Sequence, residues 1–157
     1  MEHSQDLKKA FASARFTGAA FVVCLFVYLV LVELVKSSYK PFVGFASIKD
    51  VQTLRIVLFA AAAALSVLNR VINGRFQKKG GGADHAETVQ TLFRTALISL
   101  TLAEMPAILG LVLFVLAGLD KDFYVLFFVS LVLIFMYFPR LKNWEAYLAD
   151  RPVACRL

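Results

Sequence analysis

Glu104 lies inside an unbroken apolar run, two residues before Pro106. An ionised carboxylate near the centre of a membrane span costs about 2.5–3.5 kcal/mol even on lenient insertion scales. A chain that keeps one there gives it a partner, a proton or a task. Pro106 has no amide hydrogen and disturbs the carbonyl four residues earlier, that of Leu102, which lies beside Glu104 along a helix. An acid at a helix bend is a candidate proton or cation site. The same two residues also suit a packed, kinked helix in which a neutral Glu104 donates a hydrogen bond. Ser130, Thr101 and Tyr28 are its candidate partners. Both readings stand at this point.

A second acid, Glu33, falls within one turn of the end of an apolar segment, and Arg55 falls near the start of the next. If the two segments form a hairpin, Glu33 and Arg55 meet as an ion pair. Other chemistry finds no support. HExxH, GxSxG and Walker-type motifs are absent, and Lys78-Lys79-Gly80 lacks the spacing that cradles phosphate. Cys24 and Cys155 fall in an apolar segment and in the tail, and His3 and His85 stand apart, so no metal site, disulfide or cofactor is expected. No catalytic residue is assigned, and the expectation is a protein that is not an enzyme.

The elements that must position these residues are membrane helices. Of the 157 residues, 60% are hydrophobic, and the mean hydropathy is +0.73, well above the roughly half-apolar make-up of soluble domains. The charges fall in short clusters between long apolar stretches. The formal net charge of +6 fits the Lys and Arg excess of cytoplasmic membrane-protein segments and gives no reason to invoke nucleic acid. A crossing helix needs about 20 mostly apolar residues. Residues 16–35, 51–72, 95–119 and 123–138 meet or approach that length, with a flexible loop over 73–94. The first run is longer than the 7–15 residues of a signal-peptide core, so it reads as a retained anchor. Asp122 and Arg140 can snorkel at the ends of the short fourth span, and Phe123, Tyr124 and Tyr137 suit the interfacial aromatic belt.

Lys and Arg orient the bundle. Lys8, Lys9 and Arg15 precede the first span, Arg70, Arg75, Lys78, Lys79 and Arg94 lie at or between the facing ends of the second and third, and four follow the fourth. Only Lys36, Lys40, Lys49, Arg55 and Lys121 lie on the other side. The expected fold is therefore all-α, one domain of four transmembrane helices in two antiparallel hairpins, with both termini cytoplasmic. Gly80-Gly81-Gly82 would join the hairpins flexibly. Asp84 with Glu87 resembles a capping box that starts the third helix before the membrane. Leu141, Trp144 and Leu148 share the face of a short surface helix. The third span carries small residues at three- and four-residue spacing, including Ser99, Ala103, Ala107 and Gly110, which predicts a helix-packing face. The Ala60–Ala64 run of the second span is its expected mate.

The stretch Glu104-Met105-Pro106-Ala107-Ile108-Leu109-Gly110-Leu111-Val112 resembles the ion-carrying helix of the proteolipid ring subunits of rotary ATPases. In those subunits an essential carboxylate is followed at the same offset by Gly-Leu-Val or Gly-Leu-Ile. Chain length and helix count also resemble the vacuolar-type proteolipid, built of two fused hairpins. That likeness implies ion carriage by Glu104. The chain differs from the pattern in placing the acid on the third helix and in having Pro106 beside it. It also resembles the small four-helix membrane proteins of bacterial genomes, a group that implies no particular role. The expected function is a non-enzymatic subunit or scaffold of a membrane assembly, of the bacterial inner membrane by that likeness. The alternative is proton or cation translocation through Glu104. The lipid bilayer is the expected partner, with other membrane subunits or a second copy beside it, and no small-molecule substrate is indicated.

Overall fold

The computed structural model describes residues 2–45, 50–79 and 85–138, with side chains over 11–45, 50–74 and 89–138. Four helices occupy these segments: α1 (Glu2–Ser38), α2 (Val51–Lys79), α3 (His85–Ala117) and α4 (Asp120–Tyr137). No strand occurs among the described residues. Three helices contain stretches long and apolar enough to cross a membrane, at Phe11–Ser38, Val51–Gly74 and Val89–Ala117. The protein is thus an all-helical, multi-pass membrane protein by length and composition. The 18 residues of α4 extend about 27 Å at 1.5 Å per residue, just under a hydrocarbon core of about 30 Å.

The segment 73–94, expected as a loop, is instead helical over 73–79 and 85–94. Apolar content falls there, but Arg, Gln and Lys are good helix formers, so the helices run on past their apolar stretches. Gly80-Gly81-Gly82, Asp84 and the tail with Leu141, Trp144 and Leu148 lie outside the described residues. The start of α3 at His85 agrees with a helix that begins ahead of the membrane.

α3 is the central helix. It packs against α1, α2 and most extensively α4, whereas α1 and α2 barely touch. Its covered line runs Val89, Leu92, Ala96, Ser99, Ala103, Pro106, Gly110, Leu113, alternately three and four residues apart, with Leu92 and Ala96 only partly buried. On α1 the covered positions Ala14, Gly18, Phe21, Leu25, Tyr28 and Val32 repeat the same alternation. That spacing is the seam of helices crossing at a shallow left-handed angle. The main core joins Leu25 and Val32 of α1, Leu100, Ala103, Ala107 and Phe114 of α3, and Phe123, Phe127 and Ile134 of α4.

The small-residue stripe of α3 does not serve one neighbour. A side chain at Gly110 would meet Leu126 Cβ at 3.0 Å and the Phe123 backbone at 3.4 Å, so that glycine seats α4. Ser99 instead faces α2. The alanine run of α2 is not its mate: Ala62 alone of the five is buried, and Ala60, Ala63 and Ala64 face outward. Large apolar side chains on α1, α2 and α4 are similarly exposed, among them Phe26, Leu34, Ile56, Val67, Phe128 and Phe135. They make the outer surface one suited to lipid.

The turn between α3 and α4 is closed by Gly118, whose φ of +69° is a left-handed conformation that glycine adopts without strain. Its amide donates to the Phe114 carbonyl at 2.8 Å, ending α3. Gly44 packs against this turn, and the Phe45 amide donates to the Val115 carbonyl at 2.9 Å. The 39–45 loop is thereby fastened over the end of α3. At the start of α2, Asp50 accepts a hydrogen bond from the Thr53 amide at 3.1 Å, which supplies the cap. At the far end of α4, Phe138 is already extended, as suits a residue preceding a proline.

Candidate functional site

At the middle of α3, Glu104 is buried at 7% exposure and accepts a hydrogen bond from the Tyr28 hydroxyl of α1 at 2.9 Å. No other side chain among the described residues bonds to this pair. Of the three candidate partners, Tyr28 is the one that engages. Thr101 faces outward and returns its hydroxyl to the Leu97 carbonyl at 3.0 Å. Ser130 is fully buried and donates to the Ala103 carbonyl, one residue from Glu104. Pro106 is fully buried just beyond. Tyr28, Glu104, Ser130 and Pro106 therefore converge on one level, where α1 and α4 grip the stretch of α3 whose hydrogen-bond ladder the proline interrupts. Chemically, the pair can hold or exchange one proton between a carboxyl and a phenol.

A second polar layer links α2 to α3 and escaped the sequence reading. Asn69 is fully buried and donates to the Ser99 carbonyl at 3.0 Å. Asn73 donates to the side-chain and backbone oxygens of Asn69, both at 2.9 Å. The Ser99 hydroxyl lies 2.9 Å from Asn73 Oδ1 and 2.8 Å from the Thr95 carbonyl, and its one hydrogen is shared between them. Two asparagines four residues apart in an apolar helix were the available signal, since such spacing puts both on one face. Ending the second span at Ile72 hid it by leaving Asn73 in a loop.

A charged cluster holds the end of the bundle where α1 finishes and α4 begins. Glu33 and Arg55 do not form the expected pair. Arg55 grips Asp122 with both arms of its fork, Nη2 to Oδ1 at 2.9 Å and Nε to Oδ2 at 2.8 Å. Glu33 accepts a hydrogen bond from the Tyr124 hydroxyl and lies 4.0 Å from Lys36. The physical reason is that α1 and α2 hardly meet, so Arg55 finds its acid on α4. Asp122 therefore does not snorkel: it is buried and paired. Asp120, two residues away and so on the opposite side of α4, reaches Lys36 of α1 at 3.0 Å. That hydrogen bond holds its carboxyl below the usual value, with a smaller push from the Lys121 amide and burial opposing. The Asp50 carboxyl is likewise lowered, by the Thr53 hydroxyl and then its amide.

Among the described residues, every deeply buried side-chain nitrogen and oxygen has a hydrogen-bond partner, and no three His, Cys, Asp or Glu side chains converge as a metal site would require. Comparison with known protein families, curated proteins and solved structures found no match for this chain.

Proposed function

We propose that the chain is a non-enzymatic subunit or scaffold of a membrane assembly in a bacterial inner membrane. In this reading it crosses four times, as an α1–α2 and an α3–α4 hairpin, with both termini on the cytoplasmic side. The observation that carries the proposal is the use made of the intramembrane polar groups. Glu104, Ser130, Asn69 and Ser99 each bond to a neighbouring helix, as interhelical fastenings do in lipid. Between their charged ends, what remains outward on α1 and α2 is almost all apolar and free to pack against other chains. Cross-linking in intact membranes followed by mild extraction tests this. The expected result is one defined species of fixed stoichiometry, larger than the 17.4 kDa chain. Recovery of the chain as a monomer at every cross-linker dose overturns it.

A second reading, proton or cation movement, has one observation in its favour: an acid deep in a span with a phenol bonded to it. Intramembrane acids in such positions commonly mark proton relays. Proton flux into liposomes carrying the chain or its Glu104→Gln variant decides the matter. A flux lost with the substitution supports translocation, and equal flux removes it.

A further inference from the structure

A cavity of about 380 Å³ opens between the last turn of α1, the 39–42 stretch of the following loop and the α3–α4 turn. Its size is at the lower end of ligand sites, which hold about 300–1,000 Å³. Two opposed kinds of group line it. Glu33, Lys36, Lys40 and Asp120 supply two carboxylates and two ammonium groups, while Phe42 and Phe114 supply aromatic surface, their rings 4.9 Å apart. The charges are unevenly committed. Lys36 is taken by Asp120 at 3.0 Å and donates to the Tyr124 hydroxyl at 3.4 Å. Lys40 has no carboxylate partner among the described residues. Glu33 accepts from Tyr124 through one oxygen, and a carboxylate has acceptor sites to spare. Among the described residues the cavity thus presents one cation without a carboxylate partner and one acid with unused capacity, beside the accessible Tyr39 and Phe42 rings, whose faces favour an ammonium group.

Its surroundings decide between a soluble ligand and a lipid. Ser37 lines the cavity, and Leu34 and Val30 continue down the same side of α1 at three- and four-residue spacing, 56% and 54% exposed. An apolar track therefore leads from the cavity along the outer face of a membrane-spanning helix. Tyr39, Val43 and Phe45 of the adjoining loop are exposed beside it, as residues in the interfacial zone are.

We propose that this cavity binds the headgroup of a phosphatidylethanolamine molecule. Its phosphate sits on Lys40, its primary amine hydrogen-bonds to Glu33 beside the aromatic wall, and its acyl chains lie along Leu34 and Val30. An anionic headgroup lacking the amine offers no donor to the spare acceptor sites of Glu33 and is repelled by its charge. A quaternary amine meets the rings but has no hydrogen to give the carboxylate.

The test is native mass spectrometry of the full chain, released from micelles containing equal amounts of phosphatidylethanolamine, phosphatidylcholine and phosphatidylglycerol. A single phosphatidylethanolamine adduct is expected to dominate. Lys40→Ala should lower its retention about fivefold, the weight of one basic residue at a phosphate surface, and Lys40→Arg should restore it. Glu33→Gln should abolish the preference over phosphatidylcholine. Helicity by circular dichroism confirms that each variant is folded. Soluble glycerophosphoethanolamine should compete only weakly, because it lacks the chains that follow α1. Equal retention of the three lipids, unchanged retention in both variants, or competition by inorganic phosphate as strong as by glycerophosphoethanolamine overturns the proposal. Retention is read on the isolated chain, so its failure is separate from any failure to assemble with other subunits.

Discussion

The contact between Tyr28 and Glu104 determines what the middle of the bundle can do. A carboxyl in hydrocarbon with no partner is costly, and here one phenol relieves it. Interhelical hydrogen bonds in membrane proteins contribute about 0.6 kcal/mol on average and up to about 1.7. Tyr28→Phe and Glu104→Leu, which each remove one partner of the hydrogen bond, should each lower the thermal midpoint in detergent. The double variant should lose less than the two singles together, leaving a coupling energy of about 1 kcal/mol. A coupling indistinguishable from zero would show that the two side chains do not act as a unit. The acid was legible in the sequence because it stands alone in an apolar run, whereas Tyr28 was one of three candidate partners beside Ser130 and Thr101, and only the packing selects it. The partner of Arg55 was not legible, since Glu33 and Asp122 both belong to the same end of the bundle. Only the packing of whole helices tells them apart. Asn69 and Asn73 were missed for a different reason, which was where the span was taken to stop.

Among elements, α3 and α4 are fitted most closely, and Gly110 is where they meet. A methyl group there would stand 3.0 Å from Leu126 Cβ, an atom fixed by its own backbone, so Gly110→Ala asks α3 and α4 to give by a few tenths of an ångström and should cost less than a larger side chain. Gly110→Val must push the helices apart and should cost about 1–3 kcal/mol, as overpacking of a filled core does. Thermal unfolding of the two variants checks this, and equal midpoints would place the closest approach elsewhere. The same end of these helices carries a pH dependence of known sign. Lys36 holds the Asp120 carboxyl below its ordinary value, so the folded chain holds that proton less tightly than the unfolded one. The contribution is complete above the ordinary carboxylate value and is lost as pH falls through the lowered one. Acidification from pH 6 to below about pH 4 should therefore lower the thermal midpoint of the natural chain more than that of Asp120→Asn. Parallel curves would dismiss the linkage. The effect is small because both groups are partly exposed. Helix positions were readable from hydropathy alone, but helix ends were not. Beyond the apolar stretch, charged helix formers replace the hydropathy signal and the helix continues without it.

At the scale of the whole molecule, one helix is wrapped by three, and consecutive helices need not be partners. The pattern of apolar runs predicts how many helices there are, but it cannot rank their contacts, because each run is apolar all round. Asymmetry enters through glycine, asparagine and paired charges, which is why the α3–α4 contact at Gly110 and the α2–α3 contact at Asn69 define the bundle. The proposed orientation, read from the distribution of Lys and Arg, turns the Lys36–Asp120 end outward and the Gly74 end inward. Two positions suit a direct test. Gln52 is exposed at the start of α2, and Gly74 lies toward its other end with nothing within 4 Å of an added side chain. Each takes a cysteine without disturbing a contact, once Cys24 and Cys155 are replaced by serine. A maleimide that cannot cross membranes, applied to intact cells, should label Gln52→Cys and leave Gly74→Cys untouched until the cells are opened. The two lie on one continuous helix, about 33 Å apart at 1.5 Å per residue, so a spanning α2 cannot expose both to the same side. Labelling of Gly74→Cys alone in intact cells would invert the bundle and turn the Glu33–Lys40 cavity toward the cytoplasm. Labelling of both in intact cells would mean that α2 does not span, and the scaffold reading would fail with it.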